Sequence, residues 1–297
     1  FWGDTNLARH PLGIFNVSAA TTAGFTPPAR PPLKVRFDYF RNAAGAPRGV
    51  AEVPGDGPTW VWGAATLPDA QGREHLVASA VKVRGNMEAY RWDLVEWDAA
   101  AAKFAPLLTF WRKSAAEPQP TKVPDGHALK WTDAAGKAWL LFCNPFPTMR
   151  CPATYEAWKD PATWEPLTPD RRVLTAEGKP VEAHGGDLAW HPWSRRWLLL
   201  FTQKGGVSSY LGEIWLASAP SPTGPWTDAR KVATHDHYTF YNPILHAEAF
   251  RDDSPLIHFE GTYVTTFSGH REPTPRWDYN QVLYQVDLST PPFGAGK

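Results

Sequence analysis

The sequence predicts an all-β fold, a five-bladed β-propeller formed as a single domain over residues 1–297. The chain has 30 Pro and 16 Trp among its 297 residues. Prolines at this density interrupt helices, whereas aromatic residues favour strands. Hydrophobic residues make up 43% of the chain, enough to build a large core, which argues against disorder. A strand–turn–strand pattern also recurs about every 60 residues, slightly above the usual spacing of propeller blades.

Four segments carry this pattern of an apolar strand, a polar turn and a second apolar or aromatic strand. The predicted strand pairs are 60–67 with 75–80, 127–131 with 138–142, 187–190 with 197–201, and 243–250 with 258–267. A further strand follows each pair, at 88–98, 154–158, 212–219 and 281–288. Residues 1–42 supply the fifth blade, in which residues 35–40 alternate with period two. One short helical turn is expected at 99–102. A sandwich fits less well, because it shows no long-period self-similarity.

The charge balance narrows the classes of partner. The chain has 30 basic and 30 acidic residues and a pI of about 7.3, unlike the basic surplus of nucleic-acid binders. No apolar stretch approaches the roughly 20 residues of a membrane-spanning helix, so a soluble segment is expected. The chain starts at Phe1 without Met, which leaves open whether a targeting segment was removed; a secreted or periplasmic location is favoured.

Two cysteines, Cys143 and Cys151, neither form a disulfide framework nor supply four metal ligands. We expect two buried free thiols, with a hairpin disulfide as the alternative.

One stretch resembles a known blade. Residues 196–201, Arg-Trp-Leu-Leu-Leu-Phe, precede 212–226, which contain Ala-Ser-Ala-Pro-Ser-Pro-Thr-Gly-Pro-Trp. This resembles a blade of the five-bladed propeller glycoside hydrolases such as family 43. Gly3-Asp4-Thr5, and Tyr241-Asn242-Pro243 with His246, are similar to a related bacterial group, a domain of unknown function that includes endo-D-arabinanases.

The resemblance implies an active site at the axial end of the propeller channel. It implies an Asp at the first blade as base or nucleophile, an Asp near the third that tunes pKa and orients substrate, and a Glu near the fourth as acid. A Ca²⁺ ion in the channel is also compatible with the resemblance, although no cofactor is assigned.

Glycoside hydrolysis needs one protonated and one ionised carboxyl group. Three acidic residues precede or begin inner strands. Asp4 is the candidate base or nucleophile, with a turn Asp as the alternative. Asp125 is the second candidate, although Pro124-Asp125-Gly126 is also an ordinary turn. Glu182 is the candidate acid, with Asp187 as a rival, and no uninterrupted family 43 acid motif surrounds it.

Glu260 lies inside an apolar strand, where an isolated carboxylate is costly, so it must be paired or functional. A structural hydrogen-bonded role is favoured, and catalytic acid is the competing one.

Histidine and aromatic residues are the candidate substrate-binding groups. His127, His184 and His246 belong to separate predicted blades and could converge on a transition metal, which imidazole binds well. Their spacing in the sequence, however, matches no local metal-binding motif. We therefore expect hydrogen bonds to sugar hydroxyls or to neighbouring blades, and no metal site. The other candidates are Tyr241 and Asn242, together with Trp2 and Trp60, whose flat faces suit a sugar ring.

The sequence thus predicts a protein that binds a carbohydrate and hydrolyses a glycosidic bond in an oligo- or polysaccharide, arabinan-like or related. Two alternatives stay open. The first is a non-catalytic glycan-binding propeller, which needs no carboxyl pair. The second is a metal-dependent propeller enzyme such as a lyase or oxidase.

Overall fold

Strands make up nearly all of the regular structure. The computed structural model describes residues 1–5, 15–22, 36–207, 209–235, 238–265, 268–270 and 280–290. The strands of its first half are β1 (Trp2–Thr5), β2 (Phe15–Ser18), β3 (Ala20–Thr21), β4 (Asp38–Tyr39), β5 (Thr59–Pro68), β6 (Glu74–Arg84), β7 (Glu88–Asp98), β8 (Lys103–Arg112), β9 (His127–Thr132), β10 (Ala138–Cys143) and β11 (Pro147–Pro152). Those of its second half are β12 (Glu165–Pro166), β13 (Val173–Thr175), β14 (Pro180–Val181), β15 (Ala183–His191), β16 (Arg196–Gln203), β17 (Glu213–Ala219), β18 (Trp226–Thr234), β19 (Thr239–Leu245), β20 (Leu256–Val264) and β21 (Asn280–Asp287).

Helical elements are short. Among the residues that the structure describes, they are α1 (Tyr155–Lys159) and two 3-10 turns, Pro161–Thr163 and Ala247–Ala249. In the described part of the chain, no helix combines the length and the apolar composition that crossing a bilayer requires.

The chain folds into two compact units. The first comprises the described residues up to Phe142 together with Met149–Pro166. The second comprises Cys143–Thr148 together with the described residues from Leu167 onward.

In the first unit, β5–β8 form a four-stranded sheet in chain order, and β9–β12 form the next. Strand β5 packs against β9, the first strand of that next sheet, and it also lies beside β1 and β2. In the second unit, β15–β18 run antiparallel in chain order, and the β13–β14 hairpin widens this sheet alongside β18. Strands β19–β21 form a three-stranded sheet, and β19 packs against β15.

Meandering sheets whose first strands lie side by side are the arrangement of propeller blades. The predicted fold class, an all-β chain built from the blades of a β-propeller, is confirmed by these sheets. Four of the five predicted blades are meanders of three or four strands, and the N-terminal one is described as the pairs β1–β2 and β3–β4. The extent of the single domain stays a prediction.

The second strand of each meander forms the core. In β6 and β16, successive residues are buried over most of the strand, so neither face is exposed to water. Strand β10 follows the same pattern from Trp139 to Cys143. Strands covered on both faces read as continuous apolar runs, which is why the sequence located these strands well.

One predicted strand, 154–158, is wrong, because this segment forms the helix α1. The hydroxyl of Thr154 accepts a hydrogen bond from the amide of Ala157 at 3.3 Å, which caps the helix. Pro161 then begins the following 3-10 turn. The aromatic residues Tyr155 and Trp158 are buried three positions apart, which suits one face of a helix.

The predicted helical turn at 99–102 is also wrong, because these residues form the β7–β8 hairpin turn. The Asp98 carboxylate accepts hydrogen bonds from the amides of Ala100 and Ala101, and Ala102 has a left-handed φ of 48°. The predicted strand 243–250 ends instead at Leu245 and is followed by the 3-10 turn. In 35–40, only Asp38–Tyr39 is a strand, and Val35 lies outside the described residues.

Both cysteines are free and buried, as the favoured interpretation expects. Burial raises the pKa of the Cys151 thiol to about 12 and that of Cys143 well above its usual value.

A hydrogen-bonded group, here called the His75 cluster, joins β6 to α1 in the first unit. It comprises Asp69, His75, Glu96 and Tyr155. The His75 ring stacks on the Tyr155 ring at 3.9 Å, and its Nδ1 and Nε2 lie 2.6 Å from Glu96 and 3.3 Å from Asp69. The Tyr155 hydroxyl donates to the second Glu96 oxygen at 2.5 Å. The hydrogen bond to Glu96 raises the pKa of His75, although burial opposes the rise.

Candidate functional site

Three first strands carry the same irregularity, one extra residue near the start. In each, the register advances by three residues on the first strand and by two on the second. The pairs that bracket it are Trp62–Ser79 and Ala65–Val77 in β5–β6, Ala183–Gln203 and Gly186–Phe201 in β15–β16, and Tyr241–Thr262 and Ile244–Glu260 in β19–β20. Such bulges bend a strand and re-aim its side chains, and they are frequent next to active sites. The predicted ligand-binding residues His184, Tyr241 and Asn242 lie at these bulges.

Backbone conformation explains two of the residues found there. Gly63 has a φ of +61°, and a Cβ on it would lie 3.3 Å from the Phe142 ring and 3.4 Å from the Gly126 carbonyl. Asn242 has a φ of 49°, in the left-handed region that Asn tolerates better than most residues.

Asp125 lies beside the bulge of β5. The Ser79 hydroxyl contacts the carbonyls of both segments, at 2.8 Å from Pro124 and 3.3 Å from Trp62. Gly126, with a φ of +85°, then leads into β9. The link to Ser79 therefore fixes the turn that presents Asp125.

Burial raises the pKa of the half-buried Asp125 carboxyl, while the Gly126 amide and His127 partly offset the rise. Among the described residues, its carboxyl group has no hydrogen bond to another side chain. This group therefore holds its proton to a higher pH than a free Asp does.

The remaining predictions in the first unit have varied surroundings. His127 begins β9 and is half-buried. Trp60 is half-buried against an apolar cluster that includes Val81, Trp92 and Trp111, so at least part of its ring is used in packing. Trp2 and Asp4 belong to β1, whose side chains lie outside the described residues, although β1 lies beside β5. Their roles stay predictions.

In the second unit, the structure brings together His246 and Glu260, which the sequence predicted separately. We call the group of His246, Glu248 and Glu260 the His246 cluster. His246 follows β19, and its Nδ1 lies 2.8 Å from the carboxylate of Glu248 in the 3-10 turn. Its Nε2 lies 3.6 Å from the carboxylate of Glu260 on β20, an ion-pair contact longer than a hydrogen bond.

The two carboxylates control the charge of His246. Burial disfavours its protonation, but the contacts with Glu248 and Glu260 prevail and raise its pKa to about 9. The hydrogen bond from His246 in turn lowers the pKa of Glu248 against the opposing effect of burial. His246 is therefore a cation at neutral pH.

Glu248 was not predicted from the sequence. Its signal is the pattern His-Ala-Glu directly after a strand, which places two polar side chains on one side of a tight turn. The pattern is short and common, so the pairing becomes evident only in the fold.

The rival acid Asp187 has a structural role. Its two carboxylate oxygens accept hydrogen bonds from backbone amides, that of Leu188 at 2.8 Å and that of Leu245 at 2.9 Å. The second bond joins β15 to β19, and the residue is buried. Asp187 thus links β15 to β19 through its backbone hydrogen bonds, and its alternative role as the acid stays a prediction.

Glu182 and His184 lie at the exposed start of β15. Glu182 forms an ion pair with Lys204 at 3.0 Å, and its side chain is 68% exposed. His184 is exposed, and burial of part of its ring, with Lys204 nearby, lowers its pKa. Glu182 is therefore an exposed, ion-paired side chain, and its catalytic role stays a prediction.

No cluster of three or more His, Cys, Asp or Glu side chains with metal-binding geometry occurs among the described residues.

The motif behind the sequence resemblance forms the turn between β17 and β18. Gly224 has a φ of +95°, and a Cβ on it would lie 3.2 Å from the Trp226 indole and 3.4 Å from Asp170. Trp226 is buried, so the Gly-Pro-Trp part of this motif serves packing.

A scan against models of protein families finds no match, and a search of curated proteins finds no similar sequence. Solved structures do match. An exo-β-1,3-galactanase from Phanerochaete chrysosporium, solved with galactose, is 14% identical with a TM-score of 0.37, over 72% of this chain and 44% of that one. A family 43 enzyme from Xanthomonas citri, complexed with xylotriose, is 11% identical with a TM-score of 0.37, over 73% and 75%. An endo-1,5-α-L-arabinanase from Thermotoga petrophila is 12% identical with a TM-score of 0.40, over 76% and 55%.

The chain therefore spans less than half of the galactanase and little more than half of the arabinanase. The matches include the family that the sequence resembles. At these identities and TM-scores they transfer no residue role to this chain.

Proposed function

We propose that this chain acts on carbohydrate and hydrolyses a glycosidic bond in a neutral oligo- or polysaccharide, with Asp125 as the carboxyl group that carries the proton. The observation that carries the proposal is the state of Asp125. Its carboxyl group lies beside a strand bulge, burial raises its pKa, and it has no hydrogen bond to another side chain among the described residues.

A carboxyl group in this state suits the chemistry. A glycosidase acid must keep its proton until it transfers it to the oxygen of the departing sugar. An ionised carboxylate then activates water or attacks the anomeric carbon. We assign this second role to Asp4, because its strand β1 lies beside β5, against which the Asp125 turn is fixed.

Two further features support a carbohydrate ligand. The chain has equal numbers of basic and acidic residues, which suits an uncharged polymer. Polar residues at the bulges, His184 and Asn242, are exposed and able to bind hydroxyl groups. A secreted or periplasmic location, where polysaccharides are found, is part of the proposal.

The test is a hydrolysis screen. Purified protein is incubated with linear arabinan, xylan and β-1,3-galactan, and new reducing ends are measured. On the polymer that is cut, Asp125→Asn is expected to lower kcat/KM by about 10²- to 10⁴-fold. The matched control is Glu165→Gln, which makes the same carboxylate-to-amide change at a half-buried ion pair with Arg150.

Three results contradict the proposal in different ways. Cleavage unaffected by Asp125→Asn removes the assigned role of Asp125. Binding without cleavage, measured by affinity electrophoresis on the same polymers, favours the glycan-binding alternative. If the protein neither binds nor cleaves any of the three polymers, a carbohydrate function for this chain is contradicted.

A further inference from the structure

The backbone of His246 is itself held in place between β19 and β20. Its backbone amide donates to the carbonyl of His258 at 2.8 Å, which ties the end of β19 to β20. Glu248 follows two residues later in the 3-10 turn, and Glu260 lies on β20 opposite Ile244. The imidazole therefore bridges a turn and a strand.

The two carboxylates contact His246 unequally. Glu248 lies within hydrogen-bond distance of Nδ1 at 2.8 Å, and its side chain is 60% exposed. Glu260 lies at 3.6 Å from Nε2 and is 22% exposed. Among the described residues, neither carboxylate forms a hydrogen bond or an ion pair with a side chain other than that of His246. Glu248 thus binds His246 by a hydrogen bond, whereas the carboxylate oxygens of Glu260 can still accept a hydrogen bond from a further donor.

Two other described titratable groups lie near His246, and each has hydrogen-bond partners of its own. On β20, Nε2 of His258 accepts a hydrogen bond from the Gln285 amide at 2.9 Å, and burial together with the nearby His246 cation lowers the pKa of His258. On β15, Asp187 binds two backbone amides. Among the described residues, Glu248 and Glu260 are therefore the groups that raise the pKa of His246 and bind its two ring nitrogens.

We propose that Glu248 is a positioning residue, which keeps His246 protonated and directs its Nε2–H at Glu260, so that the Glu260 carboxylate is held in place to accept hydroxyl groups of a ligand. That the ligand is a neutral sugar rests on the proposed function. The raised pKa of His246, to about 9, supports the arrangement.

The experiment is a titration of the His246 side-chain nitrogens by ¹⁵N NMR between pH 5 and 10, in the absence of carbohydrate. In the wild type, both nitrogens are expected to remain protonated at pH 7.5. Glu248→Gln is expected to lower the His246 pKa by about 1–2 pH units, because a neighbouring opposite charge is removed. Glu248→Asp is expected to recover part of this loss.

The matched control is Asp253→Asn. It removes a carboxylate from an exposed ion pair with Arg251, five positions further along the chain than Glu248. It is expected to leave the His246 titration unchanged. Equal effects of the Glu248 and Asp253 substitutions, or no effect of Glu248→Gln, overturn the positioning role.

Failure of this inference is distinguishable from failure of the proposed function. The titration needs no substrate, so a negative hydrolysis screen with an intact titration overturns the proposed function and leaves the positioning of His246 standing. If Glu248→Gln leaves the His246 titration unchanged and the enzyme is active, the positioning role is overturned and the proposed function stands. Because Glu248 is exposed, its substitution is not expected to unfold the chain, and the melting temperature of each variant verifies this.

Discussion

The His75 cluster and the His246 cluster each contain a histidine between two carboxylates, but in different surroundings. In the His75 cluster, every carboxylate oxygen is bonded: Asp69 also binds the amides of Gln71 and Arg73 and the Arg73 guanidinium, and Glu96 binds Tyr155. In the His246 cluster, the carboxylates form hydrogen bonds or ion pairs only with His246 among the described side chains. The first cluster is closed and the second is open.

The difference teaches how to interpret a perturbed histidine. Both imidazoles have raised pKa values, since both face carboxylates, yet perturbed values occur in structural networks as well as in functional sites. What separates the two clusters is the unused hydrogen-bonding capacity. A closed network stabilises the fold, whereas an open one can bind a ligand.

The largest expected effect is on the closed cluster. Tyr155→Ala removes a buried ring that stacks on His75, and we expect the free energy of unfolding to fall by about 3–5 kcal/mol, measured by urea denaturation. Tyr155→Phe keeps the ring and loses only the bond to Glu96, so a loss of about 1–2 kcal/mol is expected. Equal losses in the two variants would contradict a packing role for the ring.

Substitution of Asp187 tests the link between β15 and β19, the strand that leads to the His246 cluster. Asp187→Asn cannot accept from both the Leu188 and Leu245 amides with its single oxygen, so we expect a loss of about 2–3 kcal/mol in unfolding free energy. Glu182→Gln, which breaks an exposed ion pair, is the control and should cost less than about 0.5 kcal/mol. A small loss for Asp187→Asn would show that β15 and β19 do not depend on this link.

The two clusters can also be compared by how the contribution of each histidine to the unfolding free energy depends on pH. The folded pKa of His246, about 9, lies above the unfolded value, so its contribution is complete below pH 6.5 and is lost as the pH rises through 9. The difference in unfolding free energy between wild type and His246→Gln should fall by roughly 3 kcal/mol over this interval. His75→Gln should show a loss of the same sign. A difference that grows with pH contradicts the contacts of His246.

The smallest expected effects come from matched Glu-to-Gln substitutions. Glu96→Gln weakens bonds to His75 and Tyr155 and should cost about 1 kcal/mol. Glu260→Gln removes the 3.6 Å ion-pair contact with His246 and should lower the free energy of unfolding by less than about 0.5 kcal/mol. Thermal unfolding of the two variants side by side measures the difference. A larger loss at Glu260 than at Glu96 would assign Glu260 a structural role, the one that the sequence favoured.

The sequence predicts best what is local. The buried second strands appear as apolar runs, and the fold class follows from their repetition. The helix at Tyr155–Lys159 was missed because its aromatic residues suit a strand equally well, and the deciding cap at Thr154 involves one hydroxyl group. The candidate residues Asp125, His246 and Glu260 were proposed from their types and positions, and their roles stay predictions.

The pairing of these residues required the fold. Glu248 meets His246 only through a tight turn, and Glu260 meets it through the register between β19 and β20. The equal bulges in three sheets are also invisible in the sequence, because each depends on a shift between two strands. The His75 cluster was missed for the same reason, since Tyr155 lies 59 residues from Glu96.

The central claim is that the His246 cluster is open to a ligand and the His75 cluster is not. Its most direct test is to follow the side-chain nitrogens of both histidines by ¹⁵N NMR at pH 7 while 1,5-α-L-arabinotriose, xylotriose or β-1,3-galactotriose is added. The account predicts that one of these sugars shifts the His246 signals with a saturable dependence and leaves His75 unchanged. Shifts at His75, or none at His246 with a sugar that the protein binds, would contradict it.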